Sequence, residues 1–138
     1  MESRNWINGE WVTPTGDVQT VYNPSKTDEE VGVLHLSQEL DMLQAGEAAR
    51  RSLPHWARLT GPQRGNLLYR TAELFQQNTG ALATLASIEM GKPVTEMKGE
   101  VMRAVNLLKY YGAEGVRSDG DVIPASTANV LQYTKRVP

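Results

Sequence analysis

The sequence predicts an α+β fold with an N-terminal β-hairpin, further short strands, about four helices and a C-terminal strand. Three observations lead to this prediction. Apolar residues alternate with polar ones in the first third of the chain, recur at intervals of three and four after Ser37, and alternate again over residues 129–137. With 138 residues, 40% of them hydrophobic, the chain is long enough for one domain.

The first third of the chain is predicted to form short strands. Asn8 and Gly9 lie between apolar residues, which is a strong local signal for a hairpin because both residues adopt positive φ readily. Alternating, β-branched residues predict a second strand over residues 18–22 and a third over residues 31–35. Residues 23–28, between these two strands, are rich in turn formers and are predicted to be a turn.

The first two helices are predicted from capping and proline signals. Ser37 is a candidate N-cap, with acidic residues following it in the first turn, and Pro54 is expected to end this helix. A second helix is predicted to begin after Thr60, with Pro62 in its first turn, where the missing N–H is harmless. Its apolar face is expected to contain Leu67, Leu68, Thr71, Leu74 and Phe75.

Two further helices follow the same periodicity. Asn78 is a candidate N-cap for the third helix, and Gly91 is expected to end it in the left-handed conformation. The fourth helix is the longest, with Gly112 and Gly115 expected to weaken its end. Its apolar stripe is predicted to consist of Val94, Met97, Val101, Ala104, Val105, Leu108 and Tyr111.

The C-terminal region is predicted to return to extended structure. Residues 118–121 have turn composition, residues 122–124 form a short extended piece, and residues 129–137 alternate as a strand. No capping or polar segment follows this strand before Pro138, so we expect the element to be truncated.

Composition and charge exclude several classes of protein. The net charge of −2 offers no surplus of cations for phosphates, so neither nucleic acid nor an anionic membrane is expected as a partner. The sequence contains no cysteine, which excludes disulfides and a cysteine nucleophile within these residues. The first residues do not have the pattern of a signal peptide, and we therefore expect a cytoplasmic protein.

The residues do not form a recognisable catalytic constellation. His35 and His55 have no second ligand at metal spacing, and no glycine-rich phosphate loop is present. Glu96 and Glu100 lie one helical turn apart, as in an acid/base pair. Because Lys98 and other cations are close in sequence, a solvated charged face is the favoured interpretation.

Several short sequence motifs follow one another along the chain. Their order is a more specific signal of relationship than any single motif. They lie at residues 7–11, 22–25, 88–93, 110–111, 120–124 and 134–138. This ordered set resembles the N-terminal portion of the aldehyde dehydrogenase superfamily over the whole chain. The strings Glu-Met-Gly-Lys-Pro at 89–93 and Gly-Asp-Val-Ile-Pro at 120–124 are similar to the branch that oxidises 2-oxoglutarate semialdehyde or succinate semialdehyde.

The resemblance implies a piece of a three-part enzyme that oxidises an aldehyde to a carboxylate with NAD or NADP. Residues 1–128 would be the N-terminal part of its dinucleotide-binding domain, and residues 129–138 the truncated start of its oligomerisation arm. The catalytic cysteine, the general-base glutamate and the cofactor-binding turn would come later in the chain. We therefore expect no catalytic or cofactor-binding residue here, no NAD or NADP bound to this chain alone, and no activity alone. The expected partners are the remainder of the enzyme and further copies of it.

The resemblance also implies roles for four residues. Glu89, with a main-chain carbonyl near Val21, matches a site for a monovalent cation; the favoured alternative is a plain position in the last turn of a helix. Glu100 and Arg103 match a helix face that borders the substrate entrance, where Arg103 would contact the distal carboxylate of a semialdehyde acid. The alternative for Arg103 is an ordinary surface arginine.

A second interpretation of the whole chain stays open. The same elements would suit a non-enzymatic helical module that oligomerises through the strand edge at residues 129–137, since an exposed edge invites pairing.

Overall fold

The computed structural model describes residues 1–117 and 120–135, and within them it confirms the predicted α+β fold. Three antiparallel two-stranded sheets accompany four helices in the described residues. The strands are β1 (Asn5–Ile7), β2 (Glu10–Val12), β3 (Val18–Asn23), β4 (Lys26–His35), β5 (Val122–Ile123) and β6 (Gln132–Tyr133). The helices are α1 (Glu39–Arg58), α2 (Gly61–Gln77), α3 (Thr79–Met90) and α4 (Val94–Glu114).

The predicted hairpin is formed by β1 and β2, with Trp6 opposite Trp11. Asn8 and Gly9 have φ of 54° and 85°, as this turn requires. The two indole rings meet edge to face, with their centroids 4.9 Å apart. This contact fixes the hairpin register, because cross-strand aromatic pairs stabilise antiparallel strands.

The hairpin of β3 and β4 is tighter than the sequence predicts. The turn predicted over residues 23–28 is wrong, since Asn23 already pairs with Lys26 and only Pro24 and Ser25 lie between them. Asn23 is buried, and its Oδ1 accepts a hydrogen bond of 2.9 Å from the backbone N–H of Ser25. The side chain thus closes the turn locally, and β4 begins five residues before the predicted strand.

The first helix differs from its prediction at both ends. Gln38, not Ser37, is the N-cap, and its backbone N–H donates to Asp41 Oδ2 at 2.8 Å. Ser37 Oγ accepts instead from Asn5 Nδ2, which ties β1 to the start of α1. The prediction that Pro54 ends the helix is wrong, because α1 continues to Arg58. Pro54 lies on an exposed part of α1, so the carbonyl that loses its helical partner can bind water.

The second and third helices begin where they are predicted to begin. Thr60 caps α2 through its side chain and forms a capping box with Gln63. Asn78 occupies the N-cap position of α3, but its side chain does not cap it and donates instead to Leu74 O at 2.8 Å. Gly91 ends α3 with φ of 75°, which confirms the predicted left-handed cap.

Two pairs of glycines bring α2 and α4 into close backbone contact. A Cβ on Gly65 would overlap the carbonyl oxygen of Gly112, and a Cβ on Gly61 would overlap that of Gly115. Gly112 and Gly115 were expected only to weaken the end of α4. Their effect in the structure is to let the two backbones approach more closely than any side chain would allow.

The core lies between α4 and the two helices before it. Ala83, Met97 and Val101 form a buried cluster, against which Phe75, Leu82 and Ala86 pack. Val105 is fully buried farther along α4. Tyr111, predicted to belong to the same stripe, is 60% exposed because Gly112 occupies the inward-facing position at that end.

The C-terminal strand is shorter than predicted. Within the described residues, only β6 pairs, with Val122 opposite Tyr133 and Ile123 opposite Gln132. Asn129 has φ of 64°, which interrupts extended structure at the position where the strand was expected to start. Arg136 and Val137 of this strand, Pro138 after it, and Ser118 and Asp119 of the predicted turn lie outside the described residues. No described helix has the length and apolarity needed to cross a membrane.

Candidate functional site

A cleft of about 140 Å³ lies between the β3–β4 hairpin and α3. It is lined by both residues of the cation site that the resemblance implies, Val21 on β3 and Glu89 in the last turn of α3. Glu2 and Gly32, the latter paired with Val21 across the hairpin, also line the cleft. The fold therefore brings Glu89 and Val21 to one cleft although 68 positions separate them in the sequence.

The backbone at Val21 departs from a regular ladder. Val21 pairs with Gly32, whereas the next residue, Tyr22, pairs with Glu30, so the register shifts between them. Such a bulge leaves main-chain groups of one strand without their usual ladder partners. The residue bypassed by the register shift is Val31 of β4, and its carbonyl oxygen accepts a hydrogen bond from the Met1 ammonium at 3.2 Å.

The N-terminal segment closes the cleft from the outside. Val33 N–H donates to Met1 O at 2.7 Å, and Ser3 N–H donates to Val33 O at 2.9 Å, so the segment runs parallel to β4. A Cβ on Gly32 would overlap the backbone of Met1. Only glycine at position 32 allows this close approach.

Glu2 contributes negative charge to the cleft. Hydrogen bonds from Arg4 and from His35 hold the pKa of the Glu2 carboxyl below its usual value. Arg4 Nη2 is 3.3 Å from Glu2 Oε2, and His35 Nε2 is 3.0 Å from Glu2 Oε1. Within residues 1–117 and 120–135, no three acidic, histidine or cysteine side chains converge as a metal site would require. Carboxylate and main-chain carbonyl oxygens, the donor types of the implied site, are the ligands that hard cations prefer.

The tip of the β3–β4 hairpin rests on the link between α3 and α4. Ser25 Oγ donates to Gly91 O at 3.2 Å, and a Cβ on Gly91 would lie 2.9 Å from both Pro24 Cγ and Ser25 Oγ. Ser87 Oγ donates to the carbonyl oxygen of Lys92 and fixes the other side of the link. Two of the strings that carry the resemblance, at residues 22–25 and 88–93, therefore meet at this contact. The sequence predicts the conformation of Gly91 but contains no signal for its partner.

A second candidate surface, termed the α4 groove, is an open, exposed face on which all the lining residues belong to α4. Glu100 and Arg103, the predicted substrate-entrance residues, both line it, together with Asn106, Leu107 and Tyr110. The groove is thus charged toward the start of α4 and apolar toward its end. A carboxylate can pair with Arg103 on this open face.

The charges in this α4 groove are organised by a residue that the sequence analysis did not single out. Lys92 Nζ lies 3.4 Å from Glu100 Oε1 and 4.0 Å from Glu96 Oε2. The two glutamates therefore share a cation, which agrees with the favoured interpretation of a charged face over an acid/base pair. In the described part of the chain, Arg103 makes no ion pair within 4.0 Å.

The sheet topology of the described residues differs from that of a dinucleotide-binding unit. Dinucleotide cradles are built where a parallel strand passes through a glycine-rich turn into a helix. The three sheets here are antiparallel and two-stranded.

The sequence of this chain is similar to those of known proteins. The family model described as "Aldehyde dehydrogenase family" matches residues 11–138. The chain is 42% identical over 135 residues to the alpha-ketoglutaric semialdehyde dehydrogenase of Bacillus subtilis (strain 168), covering 97% of this chain and 28% of that protein. It is 38% identical over 120 residues to the glutarate-semialdehyde dehydrogenase of Pseudomonas aeruginosa, covering 86% of this chain and 25% of that protein.

The fold of this chain is also similar to parts of solved structures. PnpE, crystallised in complex with nicotinamide adenine dinucleotide, superposes with a TM-score of 0.90 at 28% identity, covering 99% of this chain and 28% of that chain. An Escherichia coli NADP-dependent enzyme superposes with a TM-score of 0.83 at 35% identity, covering 89% and 26% of the two chains. The chain thus spans just over a quarter of the length of the proteins it matches.

Proposed function

Because this chain belongs to the aldehyde dehydrogenase family, we propose that it forms the N-terminal part of an NAD(P)-dependent enzyme that oxidises a semialdehyde acid to a dicarboxylate. The observation that carries the proposal is the 42% identity to an alpha-ketoglutaric semialdehyde dehydrogenase over 97% of this chain. 2-Oxoglutarate semialdehyde is therefore the first substrate to test, and glutarate semialdehyde and succinate semialdehyde follow.

In this proposal the chain contributes scaffold and part of the substrate entrance. Residues 1–128 belong to the dinucleotide-binding domain, and residues 129–138 begin the oligomerisation arm of a homo-oligomer in the cytoplasm. The family's thiol nucleophile must come from outside these 138 residues, because they contain no cysteine. The nucleotide cradle belongs to the same remaining part of the enzyme.

The isolated 138-residue chain should not reduce NAD or NADP. We expect no increase in absorbance of the reduced nucleotide above the blank with 2-oxoglutarate semialdehyde, because a nucleophile and a cofactor must both be held at the carbonyl. The complete enzyme, assayed in parallel, should turn over. Turnover by the isolated chain would refute the proposal, and a complete protein without dehydrogenase activity would favour a non-enzymatic oligomerisation module.

Arg103 is proposed to contact the distal carboxylate of the substrate from the groove on α4. Arg103→Met in the complete enzyme should raise KM for glutarate semialdehyde about tenfold or more, because a charge-assisted hydrogen bond contributes about 1.5–3 kcal/mol. The increase for pentanal, a neutral aldehyde of the same chain length, should be much smaller. The measurement is steady-state kinetics with both aldehydes, and equal increases in the two KM values would exclude this contact.

Glu89 is proposed to hold a monovalent cation in the cleft together with a main-chain carbonyl near Val21. A cation at ten times its Kd stabilises the folded chain by about 1.4 kcal/mol. The Tm of the chain should therefore be about 5 °C higher in potassium or sodium chloride than in choline chloride at equal ionic strength. Glu89→Gln should abolish this difference.

Glu73→Gln provides the matched control for Glu89→Gln. Glu73 is an exposed carboxylate on α2 and does not line the cleft, so its replacement should leave the salt difference intact. Equal Tm values for the unmodified chain in the three salts would contradict the cation site.

A further inference from the structure

We propose that Lys92 is a positioning residue that keeps Arg103 available to the substrate carboxylate by holding Glu100 away from it. This inference rests on the proposed function of the α4 groove and adds to it a residue that determines specificity without touching the substrate. The observation behind it is that one lysine is shared by two glutamates beside an arginine that has no ion-pair partner in the described residues.

Glu100 has two cations within reach of its position on α4. Arg103 follows it by three residues, a spacing at which oppositely charged side chains on a helix attract each other. Lys92 precedes α4 and approaches Glu100 from the other side, with Nζ 3.4 Å from Oε1. In the structure Glu100 pairs with Lys92, so the guanidinium of Arg103 stays open to the groove.

The backbone at Lys92 is held firmly enough for this role. The carbonyl oxygen of Lys92 accepts from Ser87 Oγ, and the preceding carbonyl, that of Gly91, accepts from Ser25 Oγ. These two contacts fix the link between α3 and α4 on both sides. The lysine therefore extends from an anchored backbone, which lowers the entropy lost when its side chain meets the glutamates.

Removal of the Lys92 charge would let Glu100 compete with the substrate carboxylate for Arg103. Glu100 would lose its present cation, and Arg103 would be the next cation on its face of the helix. A glutamate paired with Arg103 competes directly with a carboxylate substrate for the same guanidinium. Since both charged groups are partly exposed, the competition should weaken substrate binding by about two- to fivefold.

The test is steady-state kinetics of the complete enzyme with glutarate semialdehyde and with pentanal. Lys92→Met should raise KM for glutarate semialdehyde about two- to fivefold, with a smaller change in kcat and in the KM for pentanal. The double variant Lys92→Met/Glu100→Gln should restore the original KM, because the competing carboxylate has been removed. Lys98→Met is the matched control, since Lys98 lies on α4 near Glu100, has no ion pair in the described part of the chain and should leave both KM values unchanged.

The outcomes test the positioning role of Lys92 separately from the proposed role of the α4 groove. Restoration of KM in the double variant supports the positioning role, because a structural defect at Lys92 would not be repaired by a second substitution at Glu100. An increase in KM that persists in the double variant, or that is equal for the two aldehydes, overturns it. If Arg103→Met is selective for glutarate semialdehyde but Lys92→Met has no effect, only this inference fails. If Arg103→Met is not selective, the proposed role of the groove fails as well.

Discussion

Replacement of Gly65 by valine should lower the free energy of unfolding of the chain by about 3 kcal/mol, because it separates two helices that touch through their backbones. The first side-chain carbon at this position would overlap the carbonyl oxygen of Gly112, and a backbone oxygen within a helix cannot move aside as a flexible side chain can. Urea unfolding of the chain, followed by circular dichroism at 222 nm, measures the change.

Gly46→Val is the control for this substitution. Gly46 lies in the middle of α1, and a Cβ there would have no other atom within 4 Å. The same chemical change should therefore alter stability by no more than about 0.5 kcal/mol. Equal effects at the two positions would mean that helix propensity, not the contact between α2 and α4, governs the result.

Met97→Ala should destabilise the chain by about 2–5 kcal/mol, because it empties the centre of the buried cluster. Met97 is 6% exposed and packs with Ala83 and Val101 between α3 and α4. The two neighbours are small or branched and cannot extend to fill the space. The midpoint of the urea transition measures the loss.

Met42→Ala is the matched control for Met97→Ala. Met42 lies on α1 and is 72% exposed, so truncation of its side chain removes almost no buried contact. Its effect should stay within about 0.5 kcal/mol. A loss at Met42 as large as that at Met97 would contradict the location of the core.

The sequence predicts the type and order of most elements because their signals are local. The turn at Asn8 and Gly9, the start of α2 after Thr60 and the left-handed glycine at position 91 each depend on a few neighbouring residues, and all three are confirmed. The errors at Pro54 and at residues 23–28 arise where local signals were given too much weight. A proline on an exposed helix face is tolerated, and one asparagine side chain is enough to close a two-residue turn.

The candidate site was harder to predict because its contacts join distant parts of the sequence. Resemblance identified Glu89, Val21, Glu100 and Arg103, and the structure brings them together in pairs at two different surfaces. Their cation binding and substrate contacts stay predictions. Periodicity could not identify Lys92, because a lysine in a loop has no pattern that reveals which carboxylate it will meet.

The hydrogen bond between Ser25 and Gly91 has a consequence for the unfolding of the chain. It connects residues that are 66 positions apart in the chain, and so links the β3–β4 hairpin to the helical layer that follows it in the sequence. Opening of either layer removes support from the other, so the two should lose protection from hydrogen exchange as one cooperative unit. Nascent chains would acquire this mutual protection only after the glycine has emerged from the ribosome.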